Sequence, residues 1–218
     1  MSTDNYKQLA AQLRKPQGAM GDEVAEFMNA GNELLNRNTI QQIKLTGDLS
    51  IIEIGMGNGK FIPELFEMFS ISSYHGCDYS MDMVQSATRL NEGNPEKHKV
   101  HFYHCEAKQL PFVSQTQDVI FTVNTIYFWD DVDQVLQEFG RVLVNNGQLI
   151  IGLRPKHLMQ HYPFVQRGFQ LFSAKEVENA LLKNGFTTVE VSSYREPDFT
   201  NGGVTFPVES LVVSAYKK

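Results

Sequence analysis

Glu53, Gly55, Gly57 and Gly59 stand at every second position at the end of a short apolar run, Leu49 to Ile54. Glycines so spaced let backbone approach a ligand closely and take positive φ where the chain turns. Asp78 lies 19 residues beyond Gly59, at the end of the segment Ser73 to Cys77. A carboxylate at that place can accept hydrogen bonds from both hydroxyls of a ribose. A third acid, Glu106, follows the segment Val100 to His104. Bare backbone and carboxylates at the ends of apolar runs suit a nucleoside ligand. A dinucleotide fingerprint would need its third glycine at position 60, where Lys60 stands, and no phosphate-binding G-x-x-x-x-G-K-[ST] loop occurs.

These residues need strands that end together. Leu49 to Ile54 has the continuous apolar character of a buried strand. Phe61, Leu65 and Phe69 then fall four apart, on one helical face. Ser73–Cys77, Val100–His104, Asp118–Val123 and Gln148–Leu153 read as further strands. Ser80 is placed to cap a helix carrying Met81, Val84 and Leu90. Val132, Val135, Leu136, Phe139, Val142 and Leu143 form a helical stripe, and Asn145-Asn146-Gly147 turns the chain. Ser173 and Glu176 make a capping box for a helix that stops at Asn184-Gly185. Alternation from Leu49 to Leu182 predicts a mostly parallel sheet with helices on both faces. Strands from Phe186 and from Val208 to Tyr216, joined by a loop through Pro197, Asn201-Gly202-Gly203 and Pro207, predict an antiparallel pair. Upstream, Lys7 to Arg14 predicts a short helix ended by Pro16 and Gly18. Val24, Phe27, Met28, Gly31, Leu34 and Leu35 predict one amphipathic helix. The expected organisation is a helical cap over residues 1–48 and a single domain over 49–218.

Glu53-x-Gly55-x-Gly57-x-Gly59, Asp78-x-Ser80-x-x-Met83, Glu106-Ala107 with Leu110-Pro111-Phe112, the Asn124 loop and the run RVLVNNGQLIIGL occur in one order. Together they resemble the class I S-adenosylmethionine-dependent methyltransferases, in particular the small-molecule, methyltransferase type 11 and quinone-biosynthesis kind. The likeness runs from about Ile51 to the C-terminus. It implies an α/β fold with a Rossmann-like, doubly wound, seven-stranded, mostly parallel sheet, a C-terminal antiparallel hairpin and N-terminal helical additions. It implies that Glu53, Gly55, Met56, Gly57 and Gly59 surround the methionine part of the cofactor. Asp78 and Tyr79 would lie at the ribose, Met83 on the adenine, Glu106 and Ala107 by the adenine amino group, and Asn124 at the cofactor end of its loop. Glu106 stands where the family usually has Asp. Tyr127 or Trp129 would face the acceptor, with Phe128 packed under the N-terminal helices. In the irregular segment Arg154 to Leu171, His161 or Tyr162 could take a proton from the acceptor. The implied reaction moves a methyl group from S-adenosylmethionine to a small-molecule acceptor and leaves S-adenosylhomocysteine. No catalytic residue is assigned, because no Ser-His-Asp or Cys-His constellation is visible. Two other classes remain open: a non-catalytic protein holding the same cofactor or its product, and a nicotinamide-dependent oxidoreductase, against which position 60 counts.

Composition narrows the partners. A net charge of −6 with scattered Lys and Arg argues against nucleic acid, whose binding needs a basic patch to displace counterions. No apolar run reaches the ~20 residues of a membrane span, and the polar start Met1-Ser2-Thr3-Asp4-Asn5 has no signal-peptide core, so a cytoplasmic location is expected. Oligomeric state is not legible. Cys77 and Cys105 each end a strand and read as small buried apolar residues. His98, His101, His104 and Cys105 do not make a metal site, because residues three apart on a strand point to opposite faces.

Overall fold

Period-two alternation within the apolar runs builds a sheet covered on both faces. In β1 (Leu49–Ile54), Ile51 enters one apolar layer while Ile52 and Ile54 enter the other. β4 (Gln117–Val123) and β5 (Leu143–Leu153) alternate in the same way: Phe121 and Ile150 on one side, Ile120, Leu149 and Ile151 on the other. Such two-sided burial is what near-continuous apolar strands require. The computed structural model describes residues 3–201 and 203–218; Met1, Ser2 and Gly202 lie outside the described residues.

The sheet has seven strands in the order β3-β2-β1-β4-β5-β7-β6, with β2 (Ile71–Asp78), β3 (Val100–His104), β6 (Phe186–Asn201) and β7 (Val204–Lys217). The first five pair in parallel, and β7 runs antiparallel to both β5 and β6. This is the expected Rossmann-like arrangement with a C-terminal hairpin. One face carries α6 (Val132–Val142) and α8 (Ala174–Lys183) through Val135, Leu136, Phe139, Val177 and Leu181. The other carries α3 (Glu33–Ile40) and α4 (Ile62–Met68) through Leu35, Ile40, Ile62 and Leu65. α5 (Met81–Leu90) packs on β2 and β3, with Ser80 accepting at 3.3 Å from the Met83 N–H as its N-cap. The Ser173–Glu176 capping box forms at the start of α8.

Several expectations change. The single helix read across Val24 to Leu35 is two helices, α2 (Gly18–Gly31) and α3, because Gly31 and Asn32 break it. The break lets Leu35 turn onto the sheet while Phe27 stays 63% exposed. α3 lies so close to β5 that a Cβ at Gly152 would collide with Thr39. The packing therefore joins α3 to the sheet through Leu35 and Ile40, while α1 (Thr3–Arg14) and α2 contribute no residue to that layer. The loop expected around Pro197 is strand instead. A register shift between Glu196 and Phe199 places Pro197 where no ladder N–H is needed. β5 also starts early, at Leu143, and absorbs the Asn145-Asn146-Gly147 turn as an irregularity with Asn146 at φ 62°.

Between β5 and α8 the chain forms a short helix, α7 (Lys156–Met159), and a 3-10 turn at Pro163–Gln166. At its start, Arg154 makes an ion pair of 2.5 Å with Glu196 and donates to the Glu209 and Gly31 carbonyls at 3.1 and 2.9 Å. One guanidinium thus ties the hairpin to the end of α2. Arg154→Ala would leave the Glu196 carboxylate buried without its partner. The expected loss is about 3–5 kcal/mol of stability, read as a lowered urea midpoint; an unchanged midpoint would show that the pair is not buried in solution.

Candidate functional site

β1 has β2 on one side and β4 on the other, so the strand order reverses there. Open α/β sheets bind ligands outside the strand ends at such a switch point. A cavity of about 440 Å³ lies there, lined by the segments that leave β1 to β4.

The three glycines have different surroundings. Gly55, at φ 72°, donates to the Cys77 carbonyl at 2.7 Å, and a Cβ there would collide with Thr125. Gly57, at φ 58°, would point a Cβ into open space, with nothing within 4 Å. Gly59 does not line the cavity; its Cβ would fall 2.8 Å from Ile62 and 3.0 Å from Asn91, so it lets α4 and α5 approach. Met56 borders the cavity and fills the space over Gly76.

Asp78 is half-buried at the tip of β2. Its two oxygens accept from the Gly57 N–H at 3.0 Å and the Ser80 N–H at 2.8 Å. Burial pushes its carboxyl up to about 6 against the pull of those donors. Glu53, 5% exposed, accepts from the Tyr74 hydroxyl at 2.5 Å. Burial, offset in part by that bond and reinforced by Asp78, raises it from 4.5 to about 7. Both acids line the cavity, so its floor favours a cation. Tyr79 is exposed, with the Lys15 ammonium 4.3 Å above its ring centre. Met83 is fully buried and borders the cavity. Ala107 and the exposed Glu106 line it too, Glu106 being ion-paired with Lys108 at 2.8 Å.

The opposite wall departs from expectation. Asn124 lines the cavity at φ 56° and donates to Asn32 Oδ1 at 3.0 Å. Tyr127 does not line it. The 3-10 turn Ile126–Phe128 swings its ring inward, and its hydroxyl bonds Asn124 Oδ1 at 2.9 Å and accepts from the Arg154 N–H at 2.5 Å. Burial raises this phenol. Tyr127 therefore positions the loop. Trp129 and Phe128 reach the cavity instead; Phe128, read from sequence as packing under the N-terminal helices, is braced on Phe169 with ring centres 4.6 Å apart. His161 and Tyr162 both lie away from the cavity. Tyr162 stacks on Phe206 at 5.5 Å, and the exposed His161 follows the end of α7. Among the described residues, no group of three or more His, Cys, Asp or Glu could hold a metal ion.

The sequence predicts a helical cap but not which of its residues reach the cavity. Arg14, Pro16, Met28, Asn29 and Asn32 all line the cavity. Asn29 bridges to Asn58 at 3.1 Å, the Ser80 hydroxyl donates to the Pro16 carbonyl at 2.5 Å, and Gly18 N–H donates to Asp82 at 2.7 Å. Arg14 pairs with Asp130 at 2.9 Å. The Lys7–Arg14 helix, the Pro16 and Gly18 break and the apolar stripe from Val24 mark this arm in sequence, but nothing local shows where it lands.

Residues 52–151 match a family model described as a methyltransferase domain. An uncharacterized methyltransferase of Bacillus subtilis (strain 168), YdaC, is 26% identical over 130 residues, 60% of this chain and 70% of that protein. Among solved structures, a chain of the complex between the Haloferax volcanii Trm112 methyltransferase activator and a methyltransferase superposes with TM-score 0.79 at 16% identity, over 100% of both chains. An N-methyltransferase of Haemonchus contortus, in complex with phosphomonomethylethanolamine and S-adenosylhomocysteine, gives 0.74 at 16% identity, over 96% of this chain and 60% of that one. No helix among the described residues is long and apolar enough to cross a membrane.

The raised Glu53 carboxyl links stability to pH. Its stabilising contribution is fully present below its ordinary value of 4.5 and is lost as the pH rises through about 7. The loss is at most about 3 kcal/mol. The urea midpoint of the unliganded chain should fall between about pH 5 and about pH 8, and Glu53→Gln should flatten that slope. Equal slopes in the two proteins would show that Glu53 ionises in its ordinary range.

Proposed function

We propose that this chain, whose residues 52–151 match a methyltransferase-domain model and whose sheet is Rossmann-like, moves a methyl group from S-adenosylmethionine to a small-molecule acceptor. One observation carries this reading: the bare face of Gly57 opens into the cavity directly beside the Asp78 carboxylate. That is a cradle a Cβ would fill, next to an acid with lone pairs to spare. A methionine tail against backbone and a ribose on a carboxylate need those two features.

In this reading Gly55 to Gly57 hold the methionine portion. The neighbouring acids, Glu53 and Asp78, favour its positive charge. Asp78 takes the ribose hydroxyls, while Met83, Glu106 and Ala107 border the adenine. The cofactor, when bound, supplies a methyl carbon already activated by a positive sulfur, so the protein needs no nucleophile of its own. The chain's task is to hold the acceptor in line with that carbon, which can contribute roughly 7–11 kcal/mol in favourable cases. Phe128, Trp129, Met28, Asn29 and Asn32 line the space left for the acceptor. α2 reaches it across the amide pairs Asn29–Asn58 and Asn32–Asn124, and α1 through Arg14 paired with Asp130, so together they are the lid of the proposed site.

Asp78→Ala should weaken S-adenosylhomocysteine binding more than about tenfold, since at least two ribose hydrogen bonds are lost. Calorimetry showing unchanged affinity would remove Asp78 from the site. Gly57→Val adds a branched side chain to the cradle at positive φ; a folded variant binding as the natural chain does would exclude Gly57. Hydrogen exchange across residues 3–31 should slow when S-adenosylhomocysteine is bound, and identical exchange with and without it would show that α1 and α2 are no lid.

A further inference from the structure

Cys77 precedes Asp78 at the end of β2, and Cys105 follows β3 beside Glu106. Both line the cavity. The strand register pairs Cys77 with Tyr103, so Cys105, two residues on, lies on the same face of the neighbouring strand. The Cys105 N–H donates to the Asp78 carbonyl at 3.1 Å, which fixes the second thiol against the tip of β2. Cys77 is 2% exposed, while Cys105 is only partly covered. Both are free thiols.

We propose that Cys105 is a site of oxidation by peroxides, with Cys77 as its neighbouring thiol, and that oxidation and cofactor binding exclude one another. The proposal rests on the function given above, because it places Cys105 in the wall next to Glu106 and Ala107, where the adenine would lie. The thiol chemistry is asymmetric in the required sense. The neighbouring Cys77 thiol lowers the Cys105 thiol, while Cys105 and burial raise that of Cys77. The accessible member of the pair is therefore the one with more thiolate character, and thiolate is the form that attacks an oxidant. In the step, the Cys105 sulfur bonds to one peroxide oxygen and the O–O bond breaks. The other oxygen leaves and takes up the thiol proton, giving water. Sulfur is oxidised by two electrons to a sulfenic acid and peroxide is reduced by the same two. The added oxygen projects from a wall that must lie flush against the ligand.

The full chain, reduced, is treated with limiting hydrogen peroxide with and without saturating S-adenosylhomocysteine. Sulfenic acid is trapped with dimedone and mapped by mass spectrometry, and affinity for S-adenosylhomocysteine is measured before and after by calorimetry. The expected result is an adduct on Cys105 that bound ligand reduces by about tenfold or more, with a matching loss of affinity in the oxidised chain. A Cys77–Cys105 disulfide in place of the adduct is the same oxidation one step on and supports the proposal equally. In Cys105→Ser the ratio of treated to untreated affinity should stay near one, whatever its starting affinity. No adduct or disulfide at Cys105, labelling undiminished by bound ligand, or an oxidised chain that binds as well as the reduced one would each overturn the proposal. If the reduced natural chain fails to bind S-adenosylhomocysteine at all, the methyltransferase reading fails instead, and the link between this thiol and a cofactor falls with it.

Discussion

One carboxylate holds the centre of this molecule. Asp78 accepts from Gly57 in the loop after β1 and from Ser80 at the start of α5. Its backbone carbonyl takes the N–H of Cys105 after β3. Three segments leaving three strands are thereby fixed to the tip of β2. Backbone donors on a half-buried carboxylate are strong, and they favour its charged form against the cost of burial. Because the loop is pinned at Gly57, its open face stays toward the cavity instead of collapsing into it.

The same tip receives the N-terminal arm. Ser80 caps α5 with one lone pair and donates its proton to Pro16, so one hydroxyl serves helix start and arm together. Asp82, two residues on, takes the Gly18 N–H. At the far wall Tyr127, Asn124 and Asn32 form a chain of neutral hydrogen bonds from the Arg154 backbone to the start of α3. Neutral amide pairs cost little to break compared with buried ion pairs. The contrast suits a cavity with a fixed floor and a wall that opens: carboxylates and backbone below, exchangeable amides above. The buried Arg154–Glu196 pair anchors the end of α2 and leaves its middle free of the sheet.

The chain announces its strands and helices because each is a local pattern. Alternation in β1, β4 and β5 and the stripe of α6 give their type directly, and the Ser80 and Ser173 caps mark where helices begin. Where local pattern and packing compete, local pattern fails. The apolar stripe from Val24 to Leu35 continues through Gly31 in sequence, yet the chain breaks there, because α3 must meet β5 across Gly152 while α2 crosses the cavity. Pro197 reads as a breaker, yet an edge strand tolerates it at a register shift.

The parallel sheet, its terminal hairpin and the segments that meet at the strand ends were all legible in the residues alone, since spacing from each apolar run to the next polar residue is set along the chain. Which side chains face the cavity was settled by packing between distant segments. Trp129 and Phe128 reach it and Tyr127 does not, because a single 3-10 turn rotates neighbouring residues in different directions. Gly57 opens to the cavity while Gly59 packs helices together, although both repeat in the same motif. Asn29 and Asn32 join the wall from far upstream, and His161 and Tyr162 stay off it. Those outcomes depend on contacts between residues distant in the chain, which no local period encodes.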